Sequence, residues 1–305
     1  MERAMTPRVS VVTTVYNGEP YVDRAIPGIL GQTFTDFEWI LVNDGSQDGT
    51  ENVLQDLARR DARVRVFSPG RLGITAAANF GVTQATGEYI ARQDFDDHSY
   101  PDRLRLQVAV LDSNPDVGVV GGHYLLIDQN RNERYVRMPP THHEAILLEL
   151  ARSIPLANTI AMFRKRVWTE AGGYPDVADL EDQLLWLEAG KLGWRFANVP
   201  EVIGEHYVHS TSFFHRSFKY VDRQRNLARV QAKVVRELGL PRWMYLFALG
   251  RYGYAFCPTI LKRVLRRTVR STSWAGRTAR RPSASCTGRS RTRPGTCPAV
   301  GGTST

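Results

Sequence analysis

Four short, largely apolar runs at residues 9–15, 37–42, 64–67 and 88–92, the first of them β-branched throughout its core, alternate with segments of helical periodicity. Runs this apolar suit strands buried on both faces, and their alternation with helices predicts a parallel, doubly wound sheet with helices on either side. The first intervening helix covers residues 20–30, with Tyr21, Ala25, Ile29 and Leu30 on one face and Pro27 expected to kink it. Asp48 is placed to cap a second helix running to Arg60, and a third covers residues 75–85. Residues 117–215 are less regular. Strands are expected at 117–126, near 159–163, at 195–199 and at 202–208, and helices at 144–151 and 179–191.

Charge divides the chain. Residues 1–215 carry 20 Lys and Arg against 29 Asp and Glu; residues 216–305 carry 20 against 2. The high overall basicity therefore belongs to one end, and is not the distributed footprint of a nucleic-acid-binding domain. Residues 216–238 read as a basic amphipathic helix with Phe218, Val221, Leu227, Val230, Val234 and Leu238 on its apolar face. An aromatic stretch at 243–256 follows, then a second basic amphipathic segment at 260–270. Residues 271–305 are mostly Ser, Thr, Gly, Pro and Arg, a composition too poor in large apolar side chains to fold, so disorder is expected there.

Three cysteines, Cys257, Cys286 and Cys297, make neither a disulfide framework nor a metal quartet. Residues 1–7 lack the apolar core of a signal peptide, and no run approaches a membrane span. The expectation is a cytoplasmic protein, peripheral at most on the inner face of the membrane.

In an open parallel sheet, ligands bind beyond the carboxyl ends of the strands. Polar clusters fall there: residues 13–17 after the first strand, Asn43-Asp44-Gly45-Ser46 after the second, and Asp94-Phe95-Asp96-Asp97 after the fourth. Three carboxylates in four residues repel one another unless a cation sits among them. A hard divalent ion that also holds substrate phosphates meets that need. The alternative is that Asp96 and Asp97 cap the helix beginning near Pro101. Neither a Gly-x-Gly-x-x-Gly after the first strand nor a Gly-x-x-x-x-Gly-Lys-Ser/Thr is present, which argues against a dinucleotide-dependent dehydrogenase and a P-loop ATPase.

The run Val9-Ser10-Val11-Val12-Thr13-Thr14-Val15-Tyr16-Asn17 with Tyr21, then Gln32-Thr33-Phe34, then Val42-Asn43-Asp44-Gly45-Ser46-Gln47-Asp48-Gly49-Thr50, resembles family 2 glycosyltransferases of the GT-A fold. Gly87-Glu88-Tyr89-Ile90-Ala91, residues 94–97, Pro101-Asp102-Arg103-Leu104 and Glu181-Asp182-Gln183-Leu184-Leu185-Trp186 continue the likeness in order. The resemblance covers residues 8–210 and implies one GT-A domain over residues 1–215, with a nucleotide-sugar half at 8–120 and an acceptor half at 121–215. The basic helical extension at 216–270 and the tail would follow it.

The resemblance implies that Tyr16 lies against the nucleotide base with Thr14 beside it, and that Asp44 bonds the base or ribose. Residues 94–97 look like the family's DxD motif, binding ribose and a Mg²⁺ or Mn²⁺ on the diphosphate. Asp96 is the first choice for the metal, with Asp94 and Asp97 close behind. Asp182 matches the catalytic base of an inverting transfer, though a carboxylate at a helix start also satisfies the dipole. Arg71 departs from the family's pattern; it is either a phosphate or base contact or a solvated loop residue. His209 resembles a family position that can approach the metal, and a histidine on a strand can equally be structural.

For residues 216–270 three readings remain: an anionic membrane surface, a partner-binding helix and, last, nucleic acid, with no specific nucleic-acid module recognisable. The implied function is transfer of a sugar from a nucleotide-diphosphate donor to a saccharide or lipid-linked acceptor. The rivals are a nucleotidyltransferase, for which Arg71 is the sole candidate cation at the attacked phosphate, and a non-catalytic polyanion- or membrane-binding protein.

Overall fold

A computed structural model of the chain describes residues 6–177, 179–210 and 220–257. The four expected strands form as β1 (Val9–Val15), β2 (Phe37–Asn43), β3 (Val64–Phe67) and β4 (Tyr89–Arg92), all parallel in the order β3-β2-β1-β4. Every residue of β2 and of β4 is buried. Successive residues of β2 enter opposite layers. Trp39 and Leu41 pack with Ala25 and Ile29 of α1 (Val22–Leu30), Leu54 and Leu57 of α2 (Thr50–Arg60) and Leu104 of α4 (Arg103–Ser113). Ile40 and Val42 meet Ala77, Ala78 and Val82 of α3 (Ile74–Gln84) on the other face. The period of two in the strands thus becomes two helix layers.

The α1 helix runs through Pro27 without ending there. Pro27 forfeits one backbone bond, while buried Ala25, Gly28 and Ile29 hold the helix to the sheet. Gly28 is required: a Cβ there would lie 2.9 Å from the backbone nitrogen of Ser99 in β5 (His98–Ser99). The cap of α2 is Gly49, not Asp48 as expected; Asp48 stands one residue earlier, its Oδ1 accepting from the Thr50 amide at 3.1 Å.

The second half departs from a purely parallel sheet. The expected strand near 159–163 is a 3₁₀ turn, Asn158–Ile160, followed by β8 (Met162–Arg164), which pairs antiparallel with both β4 and β6 (Val117–Asp128). The expected strands at 195–199 and 202–208 are one strand, β9 (Arg195–Val208), parallel to β6. The register slips from Gly122↔Val199 to His123↔Val202, because Pro200 has no amide to donate to the ladder. The strands β5 and β7 (Glu133–Arg137) and the helix α6 (Lys165–Ala171) are not anticipated by periodicity, being short or on the edge. One nine-stranded, mixed sheet results, in which parallel ladders carry most of the paired positions.

The helices α5 (His143–Leu150) and α7 (Glu181–Lys191) complete the second half. The basic extension is helical where described, as α8 (Tyr220–Glu237) and α9 (Tyr245–Phe256). The buried face of α8 is Ala228, Gln231, Val234 and Val235, rotated from the expected apolar set so that a glutamine lies inside. Phe218, the segment 260–270 and the tail 271–305 lie outside the described residues.

Candidate active site

The first corner of the site is built from the loops after β1 and β2. The amide of Asp44 donates to Val15 O at 2.8 Å, bringing the two loops together. The Asp44 carboxylate is buried, and each oxygen is engaged. Oδ1 accepts from the amides of Leu72 and Gly73 at 2.6 and 3.0 Å, and Oδ2 from Arg71 Nη1 at 2.7 Å. Gly45, at φ +73°, lets the loop containing Arg71 approach: a Cβ at Gly45 would meet the Arg71 amide at 3.1 Å. The Arg71 guanidinium lies 3.7 Å from the centroid of the Tyr16 ring. Tyr16, Asp44 and Arg71 therefore form one unit, with Thr14 half-buried opposite Val42 at the end of β1. The stacked guanidinium and ring make a platform suited to a planar group.

The second corner is the loop after β4. Asp97 is almost wholly buried, with Oδ1 accepting from the Tyr207 amide at 2.7 Å and Oδ2 paired with His206 Nδ1 at 2.8 Å. Asp97, expected as a further metal ligand, is thus turned toward β9. Both oxygens are committed to β9, so Asp97 anchors the loop. Asp96 is half-buried, and its Oδ2 meets His209 Nε2 at 2.8 Å. The helix-cap alternative for these two aspartates does not hold, since α4 begins at Arg103 and their carboxylates turn to β9 and to His209 beyond it. Arg24 donates to the Asp96 carbonyl at 2.7 Å while its guanidinium stacks 3.5 Å from the Tyr207 ring centroid, closing the loop from the α1 side.

Sequence reasoning missed the cations beneath this loop. Arg103 is fully buried. It donates to Gln93 and Ser99 side chains at 2.8 Å each and to the Arg92 carbonyl at 2.6 Å. Burial pulls its pKa down to about 9, against the opposing charges of Asp94 and Asp97. Arg92, also buried, donates to Val12 O at 2.7 Å and lies 3.5 Å from Asp94 Oδ1. The available signal was an arginine inside an otherwise apolar central strand. For His206, burial opposes the charged form, but Asp97 overrides it and raises the pKa to about 9. Burial also raises the Asp94 carboxyl, Arg92 opposing and Asp96 adding to the rise.

The third element is the start of α7. Leu180 adopts φ +60° immediately before the helix, a conformation that costs a non-glycine residue about 1 kcal/mol or more. It turns the chain so that Glu181 and Asp182 open the first turn. Asp182 accepts from the Gln183 amide at 2.8 Å and from Gln183 Nε2 at 3.2 Å. Burial pushes the Asp182 carboxyl up against those hydrogen bonds, and the charge of Asp94 pushes it further. Glu181 is raised by burial and then by Asp182. Asp182 thus shares an electrostatic neighbourhood with the loop after β4. Trp186, one turn on, is core, packed edge-on to Phe163. Asn79 has a structural task, exchanging bonds with the Tyr174 amide and carbonyl at 2.8 Å each.

Among the described residues, no three His, Cys, Asp or Glu side chains converge as a metal-holding group. The donor set nevertheless fits a divalent ion of the Mg²⁺ or Mn²⁺ kind, which is held by one or two carboxylates together with substrate phosphates. Asp96 would supply the carboxylate, with the His209 imidazole against it. A separate cleft of about 610 Å³ opens at the opposite end of the strands, near Arg8, Glu88, Arg164 and Trp194. Its arginines Arg8, Arg164 and Arg166 are already paired with acids.

Comparison with known proteins gives the same picture. The family model described as glycosyl transferase family 2 matches residues 10–171, more than half of the chain. EpsE of Bacillus subtilis, named as a glycosyltransferase, is 32% identical over 258 residues, spanning 83% of this chain and 90% of EpsE. The amylovoran biosynthesis glycosyltransferase AmsE of Erwinia amylovora is 30% identical over 201 residues, covering 64% of this chain and 74% of AmsE. Among solved structures, the mannosyltransferase PcManGT of Pyrobaculum calidifontis, in complex with GDP-Man and Mn²⁺, superposes with a TM-score of 0.59. That match covers 88% of this chain and 81% of PcManGT at 20% identity, and shows a shared GT-A fold. The chain belongs to glycosyl transferase family 2.

Proposed function

We propose that this chain moves a sugar from a nucleotide-diphosphate donor to a hydroxyl of a saccharide or lipid-linked acceptor, inverting the anomeric carbon, in the synthesis of an envelope or exported polysaccharide. The observation that carries the reading is the placement of the loop after β4, through Asp94, within electrostatic reach of Asp182 at the head of α7. In this reading Tyr16, Thr14, Asp44 and Arg71 receive the nucleoside, Arg71 either sandwiching the base against Tyr16 or yielding to it. Asp94 and Asp96 face the ribose and diphosphate. Asp96, with His209 beside it, would hold a Mg²⁺ or Mn²⁺, which when bound neutralises charge developing on the departing diphosphate.

Asp182 then takes the proton from the acceptor hydroxyl as its oxygen attacks the anomeric carbon opposite the leaving group. One C–O bond forms, the C–O bond to the diphosphate breaks, and the proton resides on Asp182. A carboxylate whose pKa is raised by burial is a stronger base than a solvated one, which suits this role. The names of AmsE and PcManGT support the polysaccharide context and the nucleotide-sugar donor with its metal. The same reading has the enzyme working on the cytoplasmic side, peripheral to the membrane that carries its acceptor. The nucleotidyltransferase alternative loses support, because Arg71 is tied to Asp44 and Tyr16.

Calorimetric titration of nucleoside diphosphates with and without Mn²⁺, against wild type and Asp96→Ala, tests the reading. Metal-dependent binding of one nucleotide, lost in the variant, is expected. A folded wild type that binds none of them would sink it.

A further inference from the structure

The helix α9 is apolar on its outer face as well as its inner one. Its exposed positions are Leu246, Leu249, Gly250, Tyr252, Gly253 and Phe256, with no charged side chain among them. Leu246, Leu249 and Phe256 are each more than half exposed, as is Trp243 just before the helix. The charged residue of α9, Arg251, points the other way. It donates to Gln231 and Gln224 of α8 at 3.0 and 3.1 Å and to the Arg152 carbonyl at 2.9 Å. A helix facing only water would reverse this arrangement.

We propose that this face of α9 is a docking surface for an anionic lipid bilayer, lying in the interface with Trp243, Leu246, Leu249 and Phe256 inserted. Charge selects the occupant. No acidic residue follows Glu237, and residues 258–305, which leave the helix directly, carry 11 Lys and Arg and no Asp or Glu. Arg242 stands exposed beside Trp243 at the head of the helix. An apolar stripe bordered by cations and aromatics matches the headgroup boundary of a bilayer. A second copy fits poorly. Two chains meeting here would bring two basic tails together, and one 12-residue helix face offers little of the area that a stable dimer buries. At 12 residues α9 cannot span, and among the described residues no helix is long and apolar enough to do so.

The platform is joined to the catalytic side of the molecule. The helix α8 packs between α9 and α7, and Asn226 of α8 holds both oxygens of Asp179 at 3.2 and 3.1 Å, three residues before Asp182. Docking through α9 would therefore set the head of α7 relative to the membrane. This consequence rests on the transferase reading and, within it, favours a lipid-linked acceptor over a free saccharide.

The test is co-sedimentation of the full chain with vesicles of phosphatidylcholine alone or mixed with phosphatidylglycerol, comparing wild type with the triple variant Leu246→Glu, Leu249→Glu, Phe256→Glu. Wild type should partition onto the phosphatidylglycerol vesicles, and the variant should lose roughly tenfold or more in partitioning. Its melting curve and nucleoside diphosphate titration should be unchanged. Equal partitioning of the two would assign all binding to the basic tail and overturn the proposal. So would a wild type that ignores the anionic vesicles, including one that self-associates through a contact the variant loses. Nucleotide titration of the wild type reports separately on the transferase reading.

Discussion

The two corners beneath a donor would be held in opposite ways. At the first, Asp44 is gripped by Arg71, Leu72 and Gly73, less than 30 residues away, through loops that leave adjacent parallel strands. At the second, Asp96 and Asp97 are gripped by histidines more than 100 residues away, and buried Arg92 and Arg103 lie below. The first corner is assembled by neighbouring strand ends and needs little else. The second exists only once β9 has paired with β6 and β5. A stacked ring and guanidinium can therefore be built locally, whereas the acidic loop after β4 combines nearby arginines with His206 and His209 recruited from across the chain, since like charges in a buried loop repel strongly.

Substitutions can break this contrast. The largest effect is expected from Asp182→Asn, which should lower kcat by about 10²–10⁴-fold while leaving nucleotide affinity intact; rate and binding assays on one preparation decide it. The pH profile sharpens the point. A base raised to about 6 is protonated below that pH, so kcat should fall as pH drops through about 6, and the acid limb should vanish in the residual activity of Asp182→Asn. Asp97→Ala removes the bonds to His206 and the Tyr207 amide and, with them, the charge that keeps His206 protonated. It should cost about 3 kcal/mol of stability, read by urea unfolding. Arg71→Ala should be milder, raising KM for the donor by about tenfold with little change in kcat, because its partner Asp44 keeps two backbone donors. Should Arg71→Ala destabilise the fold more than Asp97→Ala, the contrast between a local and an assembled corner would be wrong.

Much of this was legible in the chain. Strands β1 to β4 and the helices between them follow from a two-residue and a 3.6-residue period, which are local properties of backbone geometry. The placement of Asp44, Asp94 and Asp96 at strand ends follows from those elements alone. Antiparallel β8 was not legible, since three residues carry no sign of their direction. Nor was Asp97's role: its sequence neighbours mark it as a ligand like Asp96, and only the Tyr207 amide and His206 set it apart.

The same division runs through the C-terminal helices. A basic, aromatic extension was apparent from composition, but whether Arg251 or Leu249 meets the solvent depends on which side of α9 faces α8. The glutamines of α8 at positions 224 and 231 settled that by offering Arg251 its acceptors. By itself the sequence determined the period of each element, the acids at the strand ends and the charge asymmetry between body and tail, because each is a property of neighbouring residues. The tertiary structure alone decided which acid is anchored, which arginines lie beneath the loop and which face of α9 is left uncovered. Those outcomes are pairings across tens to more than a hundred residues, and their free energy is set by burial and hydrogen-bond geometry that no local window contains.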